Sequence, residues 1–126
     1  MKEIPKISDS EWRVVKVIWD KSLATTNEVV QALVPTTTWK PKTIMTLLNR
    51  LVKKGALGFN KKGRAYQYYP LIDEAECIKA ENRSFLERVY GGGLKPMLAN
   101  FLEEAELSDA EIEDLKCILE ERRKEK

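Results

Sequence analysis

The chain has no histidine, which removes the imidazole that Ser-His-Asp catalysis, Cys-His catalysis and most zinc sites rely on. Cysteine is scarce too. Cys77 and Cys117 stand 40 residues apart with no Cys-x-x-Cys partner, whereas zinc and redox motifs need close pairs. Both are expected as half-buried free thiols, with no metal and no other cofactor. Phosphate-cradling loops of the G-x-G-x-x-G or Walker kind are missing. Gly91-Gly92-Gly93 runs into Leu94, Lys95 and Pro96 and reads as a linker. Carboxylates are plentiful but fall on helix faces, where solvation is their ordinary role, so an enzyme is not expected. No apolar run approaches the ~20 residues of a membrane span. The first ten residues hold no apolar stretch of the signal-peptide kind. The expectation is a cytoplasmic protein without membrane insertion.

The most informative absence is of charge of one sign. No acidic residue lies between Glu28 and Asp73, a stretch that holds eight basic ones: Lys40, Lys42, Arg50, Lys53, Lys54, Lys61, Lys62 and Arg64. The whole chain has 20 Asp and Glu in 126 residues, so the gap is unlike the rest of it. The formal net charge of +2 conceals a division. Residues 1–70 hold 13 Lys/Arg against 5 Asp/Glu, a net of +8, and residues 71–126 hold 9 against 15, a net of −6. A block of one sign on a folded segment suits a polyanionic partner, and the acidic half must serve another purpose.

Helix and hairpin signals fall inside the basic half. Ser8 and Glu11 form a capping box, with Ile7 and Trp12 as a hydrophobic staple, and Trp12, Val15, Ile18 and Trp19 recur at helical spacing as core residues. Thr25 and Glu28 open a second helix that packs Val29, Val30 and Leu33 and stops at Pro35. A third helix begins at Pro41, a favoured first-turn residue. Its stripe is Ile44, Leu47, Leu48 and Leu51, and Gly55 ends it. At about 100° per residue, Lys42, Thr46, Asn49 and Lys53 fall opposite that stripe. Thr43 and Arg50 flank them on one side and Met45 on the other. Two short strands follow, Ala56 to Lys61 and Arg64 to Tyr69, joined across Lys62-Gly63, with Gly63 supplying a positive φ. Pro70 closes the pair.

Three helices and a β-hairpin, with a basic third helix and a basic tip, make a winged helix-turn-helix arrangement. The predicted fold class is therefore mainly α: an N-terminal winged helix-turn-helix domain over 1–72 with a small hairpin wing, then a three-helix C-terminal dimerisation domain over 73–126. In that second part, Asp73 to Tyr90 carries Ala75, Ile78, Phe85, Leu86 and Val89. Leu94, Met97, Leu98, Phe101 and Leu102 form the next stripe. Ser108 and Glu111 cap a last helix with Ile112, Leu115, Ile118 and Leu119. Three amphipathic helices in so few residues cannot easily close a core alone, and a second copy of the chain is the simplest cover.

Several stretches carry a family resemblance: Thr38-Trp39-Lys40-Pro41-Lys42-Thr43-Ile44, Arg50-Leu51-Val52-Lys53-Lys54-Gly55-Ala56-Leu57, Lys62-Gly63-Arg64 and Tyr68-Tyr69-Pro70. With Ile7-Ser8-Asp9-Ser10-Glu11, Val17-Ile18-Trp19 and Asn100-Phe101-Leu102-Glu103, the chain resembles the penicillinase repressor family over nearly its whole length. These are the repressors of β-lactamase and methicillin-resistance operons. Where that family usually has a capping Ser before the helix-3 proline, this chain has Lys40, which forgoes a cap worth ~1 kcal/mol and places a cation at the groove entrance. The family's copper-responsive branch has clustered Cys-x-Cys pairs near its C-terminus; the lone Cys117 disfavours it. The resemblance implies palindromic operators with TACA-type half-sites. It also implies a membrane-bound sensor whose protease system cuts an Asn-Phe bond after β-lactam binding, here Asn100-Phe101.

The third helix is expected to read DNA. Lys42 and Thr46, with Thr43 beside them, are placed at base edges, Asn49, Arg50 and Lys53 at phosphates, and Lys40 at the groove entrance. Lys61, Lys62 and Arg64 are placed at the wing tip. The plainer alternative is a solvated basic face. Leu94, Met97, Leu98, Phe101, Leu102, Leu115 and Leu119 are expected at the dimer interface, and the Asn100-Phe101 bond lies inside it. The expected partners are double-stranded operator DNA, a second copy of the chain and the regulatory protease. Two rivals stand beside this reading: a family repressor that answers another signal, and a winged-helix module whose basic face meets an acidic protein.

Overall fold

The computed structural model describes residues 4–125. Along the chain run α1 (Asp9–Lys21), β1 (Ala24–Thr25), α2 (Thr26–Leu33), a 3-10 turn over Val34–Thr36, α3 (Pro41–Lys53), β2 (Leu57–Lys62), β3 (Ala65–Pro70), α4 (Glu74–Tyr90), α5 (Leu94–Glu104) and α6 (Asp109–Lys124). Mainly helical with a small wing sheet, this is the expected fold class. Contacts group the chain into two units, one up to Asn82 and one from Arg83 onward.

Local chemistry sets most helix ends. The Ser8 N–H donates to Glu11 Oε1 at 2.9 Å and the Glu11 N–H donates to Ser8 Oγ at 3.2 Å. Thr25 with Glu28 and Ser108 with Glu111 repeat the same exchange, so α1, α2 and α6 each begin with orphan backbone donors satisfied. The backbone N–H of Thr25 and of Ser108 holds the exposed Glu28 and Glu111 carboxyls below the usual range. Pro35 cannot donate to a helical carbonyl, and α2 tightens there into the 3-10 turn. Pro41 opens α3, and Lys40 precedes it without a side-chain cap. At the other end the Gly55 N–H donates to Val52 O at 3.0 Å and the Ala56 N–H to Leu51 O at 2.9 Å. That is a Schellman stop, and Gly55 supplies its φ of 82°.

The first unit has its own core. Val14, Val15 and Ile18 of α1, Val29 of α2, Ile44, Leu48 and Leu51 of α3, and Leu57 of β2 are buried together. Trp12 and Trp19 pack against this core at 5.7 Å from each other. The Trp19 indole N–H donates to Ile72 O at 3.0 Å, which ties the end of the hairpin to α1. Cys77 is buried and Cys117 is exposed, so neither is the half-buried thiol expected. Burial, and then the carboxylates of Asp73, Glu76 and Glu74, push the Cys77 thiol up and keep it protonated.

The sheet departs from expectation in two ways. It has three antiparallel strands in the order β1-β3-β2, because Ala24 and Thr25 pair with Tyr68 and Gln67. The hairpin also turns one residue later than predicted. Lys62 pairs with Ala65, leaving Gly63 and Arg64 as the central residues. Gly63 has φ 64°, and glycine in the first central position is the II′ arrangement that matches strand twist.

The second unit is organised differently. Among the described residues from Arg83 onward, none is buried. Phe85 stands 6.0 Å from Tyr90 and 6.2 Å from Phe101, centroid to centroid. Gly91 and Gly92, with φ 57° and 90°, turn the chain between α4 and α5. No helix among the described residues is long and apolar enough to cross a membrane.

Candidate nucleic-acid interface

The apolar stripe of α3 decides what its other face presents. With Ile44, Leu47, Leu48 and Leu51 committed to the core, Lys42, Thr43, Thr46, Asn49, Arg50 and Lys53 are all left exposed, and Lys40 is exposed just before them. Lys61, Lys62 and Arg64 are exposed at the hairpin tip. All ten residues named from sequence therefore reach solvent in the first unit. The ion pairs among the described residues use Lys16, Lys54, Lys116, Arg122 and Arg123. No cation of the ten is neutralised by a carboxylate there.

Two details refine the chemistry. The Thr46 hydroxyl donates to Lys42 O at 3.1 Å, a back-bond one turn up the helix. Thr46 then offers its methyl group and an acceptor lone pair outward, and no free O–H. At the hairpin tip, the alternation of strand side chains sends Lys61 to one face and Lys62 to the other. The Lys61 ammonium lies 5.8 Å from the centroid of the Tyr66 ring, close enough for a cation–π attraction.

Lys54 behaves unlike the other cations of the acid-free stretch. Its ammonium donates to Lys6 O at 2.8 Å and to the carboxylate of Glu11. Glu11 is only 1% exposed. Burial pushes the Glu11 carboxyl up, but hydrogen bonds from Lys54, the Ser8 N–H and the Ser8 hydroxyl outweigh it and hold it below its ordinary value. One ion pair thus fastens the C-terminal end of α3 to the capping box that opens α1. A separation of 43 positions between the partners left no sequence signal of it.

Sequence reasoning also missed Arg13. Its guanidinium lies 5.9 Å from the Trp39 ring centroid, in a shallow depression lined by Asp9, Ser10, Thr36, Thr37, Thr38 and Trp39 just ahead of α3. Thr36 and Thr37 donate their hydroxyls to Leu33 O, and the Trp39 N–H donates to Thr37 Oγ1. These bonds fix the turn that feeds α3. Arg13 lies outside the acid-free stretch, and only the fold brings it to Trp39.

In the second unit, Asn100 and Phe101 lie in the latter half of α5. The Asn100 amide donates to the Tyr90 hydroxyl at 3.2 Å, and Phe101 is 52% exposed. Leu94, Leu98, Leu102, Leu115 and Leu119 are also exposed large hydrophobics, and Met97 is half-buried.

The chain is similar to known proteins over most of its length. A family model described as penicillinase repressor matches residues 7–121. The penicillinase repressor of Bacillus licheniformis is 52% identical over 126 residues, covering 100% of this chain and 98% of that protein. The methicillin resistance regulatory protein MecI of Staphylococcus aureus is 39% identical over 114 residues, covering 90% and 93%. A solution structure of the B. licheniformis BlaI monomeric form in complex with the blaP half-operator superposes with a TM-score of 0.53 and 56% identity, covering 60% of this chain and 93% of that one.

Proposed function

The chain belongs to the penicillinase repressor family, whose members are transcriptional repressors and not enzymes, and we propose that it represses a β-lactamase or related antibiotic-resistance operon in the cytoplasm as a homodimer on palindromic operator DNA. The observation that carries this is the face of α3. Six polar or basic side chains from Lys42 to Lys53 are exposed, and no acid offsets them. In this reading Lys42, Thr43 and Thr46 meet base edges, while Asn49, Arg50 and Lys53 hold phosphates. Lys61, Lys62 and Arg64 meet the neighbouring backbone or groove, and Lys40 stands at the groove entrance. The BlaI half-operator complex supports duplex DNA as the partner.

The dimer reading rests on the second unit. Leu94, Leu98, Phe101, Leu102, Leu115 and Leu119 are each 38–63% exposed, so the apolar positions of α5 and α6 are left to water within a single chain. Covering half of each side chain recovers ~1 kcal/mol apiece, and a second copy offers the matching stripe. The working division is a DNA-binding domain over 1–72 and a dimerisation domain over 73–126. Proteolysis at Asn100-Phe101, by the protease of a membrane sensor system, would separate Phe101, Leu102 and all of α6 from the anchors before them. The bond is helical, so cutting it requires α5 to open locally.

The test is salt-dependent binding to a palindromic duplex. With six phosphate contacts per protomer, the slope of log K against log salt is expected near −11. An affinity that stays flat from low to moderate salt would remove the reading. For the cleavage step, a Phe101 variant that the protease rejects is expected to bind operator and to remain bound after induction. Normal induction of that variant would exclude this bond as the switch.

A further inference from the structure

The wing carries an aromatic patch that the first unit does not bury. Strand pairing places Leu57, Phe59 and Lys61 on the same face as Tyr66, Tyr68 and Pro70. Leu57 and Tyr68 of that face are buried in the core, at 1% and 6% exposure. One step toward the tip, Phe59 and Tyr66 are 47% and 40% exposed. Their rings meet edge-on at 5.6 Å, and Phe59 also lies 6.3 Å from Tyr68. The face that packs beneath the helices thus continues, past the edge of the core, as a two-ring platform. Its surroundings are cationic. Lys61 stands over Tyr66, Lys62 and Arg64 are exposed beside it, and no carboxylate occurs from Val29 to Ile72.

We infer that Phe59 and Tyr66 pack against the deoxyribose faces of the DNA strand that flanks the half-site, while the cations of the hairpin tip reach its phosphates without help from either ring. The inference rests on the duplex-binding reading above. Charge decides the occupant. A like-charged wing of a second copy would be repelled, whereas a sugar–phosphate backbone offers C–H surface and negative charge together. The patch is also continuous with the cations of the hairpin tip. Apolar contact with sugar releases no counterions, so these rings add affinity without adding to the salt slope, unlike a lysine on a phosphate.

The experiment compares the full-length chain with a Phe59→Ser/Tyr66→Ser variant on two duplexes, one ending at the half-sites and one extending five base pairs beyond. On the long duplex the variant is expected to bind about tenfold more weakly, ~1.4 kcal/mol, with the salt slope unchanged. On the short duplex the two proteins should bind alike. If the double variant loses its tryptophan-monitored melt, Tyr66→Ser alone is used; its ring lies further from the core, and about threefold is expected. Equal loss on both duplexes, a smaller slope in the variant, or no loss on the long duplex would each overturn the wing contact while leaving duplex binding intact. So would a patch that instead drives DNA-free self-association, or capture of an acidic peptide. Failure of the unaltered chain to bind either duplex would overturn the function reading as well.

Discussion

Replacing Lys54 by methionine leaves the Glu11 carboxylate in place, 1% exposed, without its cation. Removing one partner of a fully buried pair costs about 3–5 kcal/mol. The side-chain exposures here are 35% for Lys54 and 2% for Glu11, so water screens part of the interaction, and the Ser8 donors remain. A loss of ~2 kcal/mol is the expectation. All three tryptophans, Trp12, Trp19 and Trp39, lie in the first unit, so their emission during urea titration reports that unit alone. With a slope near 1 kcal/mol per molar urea for so small a unit, the midpoint should fall by about 2 M. The pH dependence follows from the direction of the Glu11 shift. Its folded-state pKa lies below the ordinary 4.5, so the stabilisation is complete above that value and disappears as pH falls through the folded one. The gap between the unaltered chain and Lys54→Met should therefore be widest at pH 7 and shrink below about pH 4. Adding Glu11→Gln should recover part of the loss. A gap under ~0.5 kcal/mol at pH 7, within the ordinary range of surface substitutions, or one constant across the acid range, would refute the assignment.

Four further outcomes follow from the same structure. Lys53→Ala should weaken binding to every sequence alike and flatten the salt slope by roughly 2 per dimer, measured by anisotropy. Thr46→Ala should instead alter preference at one base position by about 1–3 kcal/mol; a selection experiment that returns the same consensus would argue against a base contact. Leu98→Glu with Leu119→Glu should yield a monomer in sedimentation that keeps the tryptophan melt of the first unit, because neither residue lies in that unit. Gly55→Ala should cost ~1 kcal/mol through its positive φ, read as a lower melting temperature.

What the sequence disclosed depended on the range of the interaction. Ser8 with Glu11, Thr25 with Glu28 and Ser108 with Glu111 are three residues apart, and each box formed as read. The α3 stripe was equally legible, because Ile44, Leu47, Leu48 and Leu51 repeat with the helix. Strand β1 was not, since Ala24-Thr25 is too short for an alternation and becomes a strand only by pairing with Tyr68 and Gln67. The hairpin turn was misplaced by one residue because Gly63 serves equally well at either central position until register is known. Lys54 looked like its neighbour Lys53, and only the return of α1 to the end of α3 separates a structural cation from an exposed one. Phe59 and Tyr66 were readable as strand residues. That the core stops at Leu57 and Tyr68 and leaves them outside was not.

The bareness of α5 and α6, which bury no side chain of their own, bears on how long the molecule lasts. With a second copy as the cover proposed above, folding of this pair becomes a bimolecular event whose position is set by mass action. On that proposal, scarce chains would leave the apolar side chains of these helices uncovered and the pair open to peptidases, while abundant ones would shelter each other. Copy number then governs turnover as well as occupancy. When synthesis slows, the pool would then decay faster than growth alone dilutes it, which would sharpen derepression with no further component.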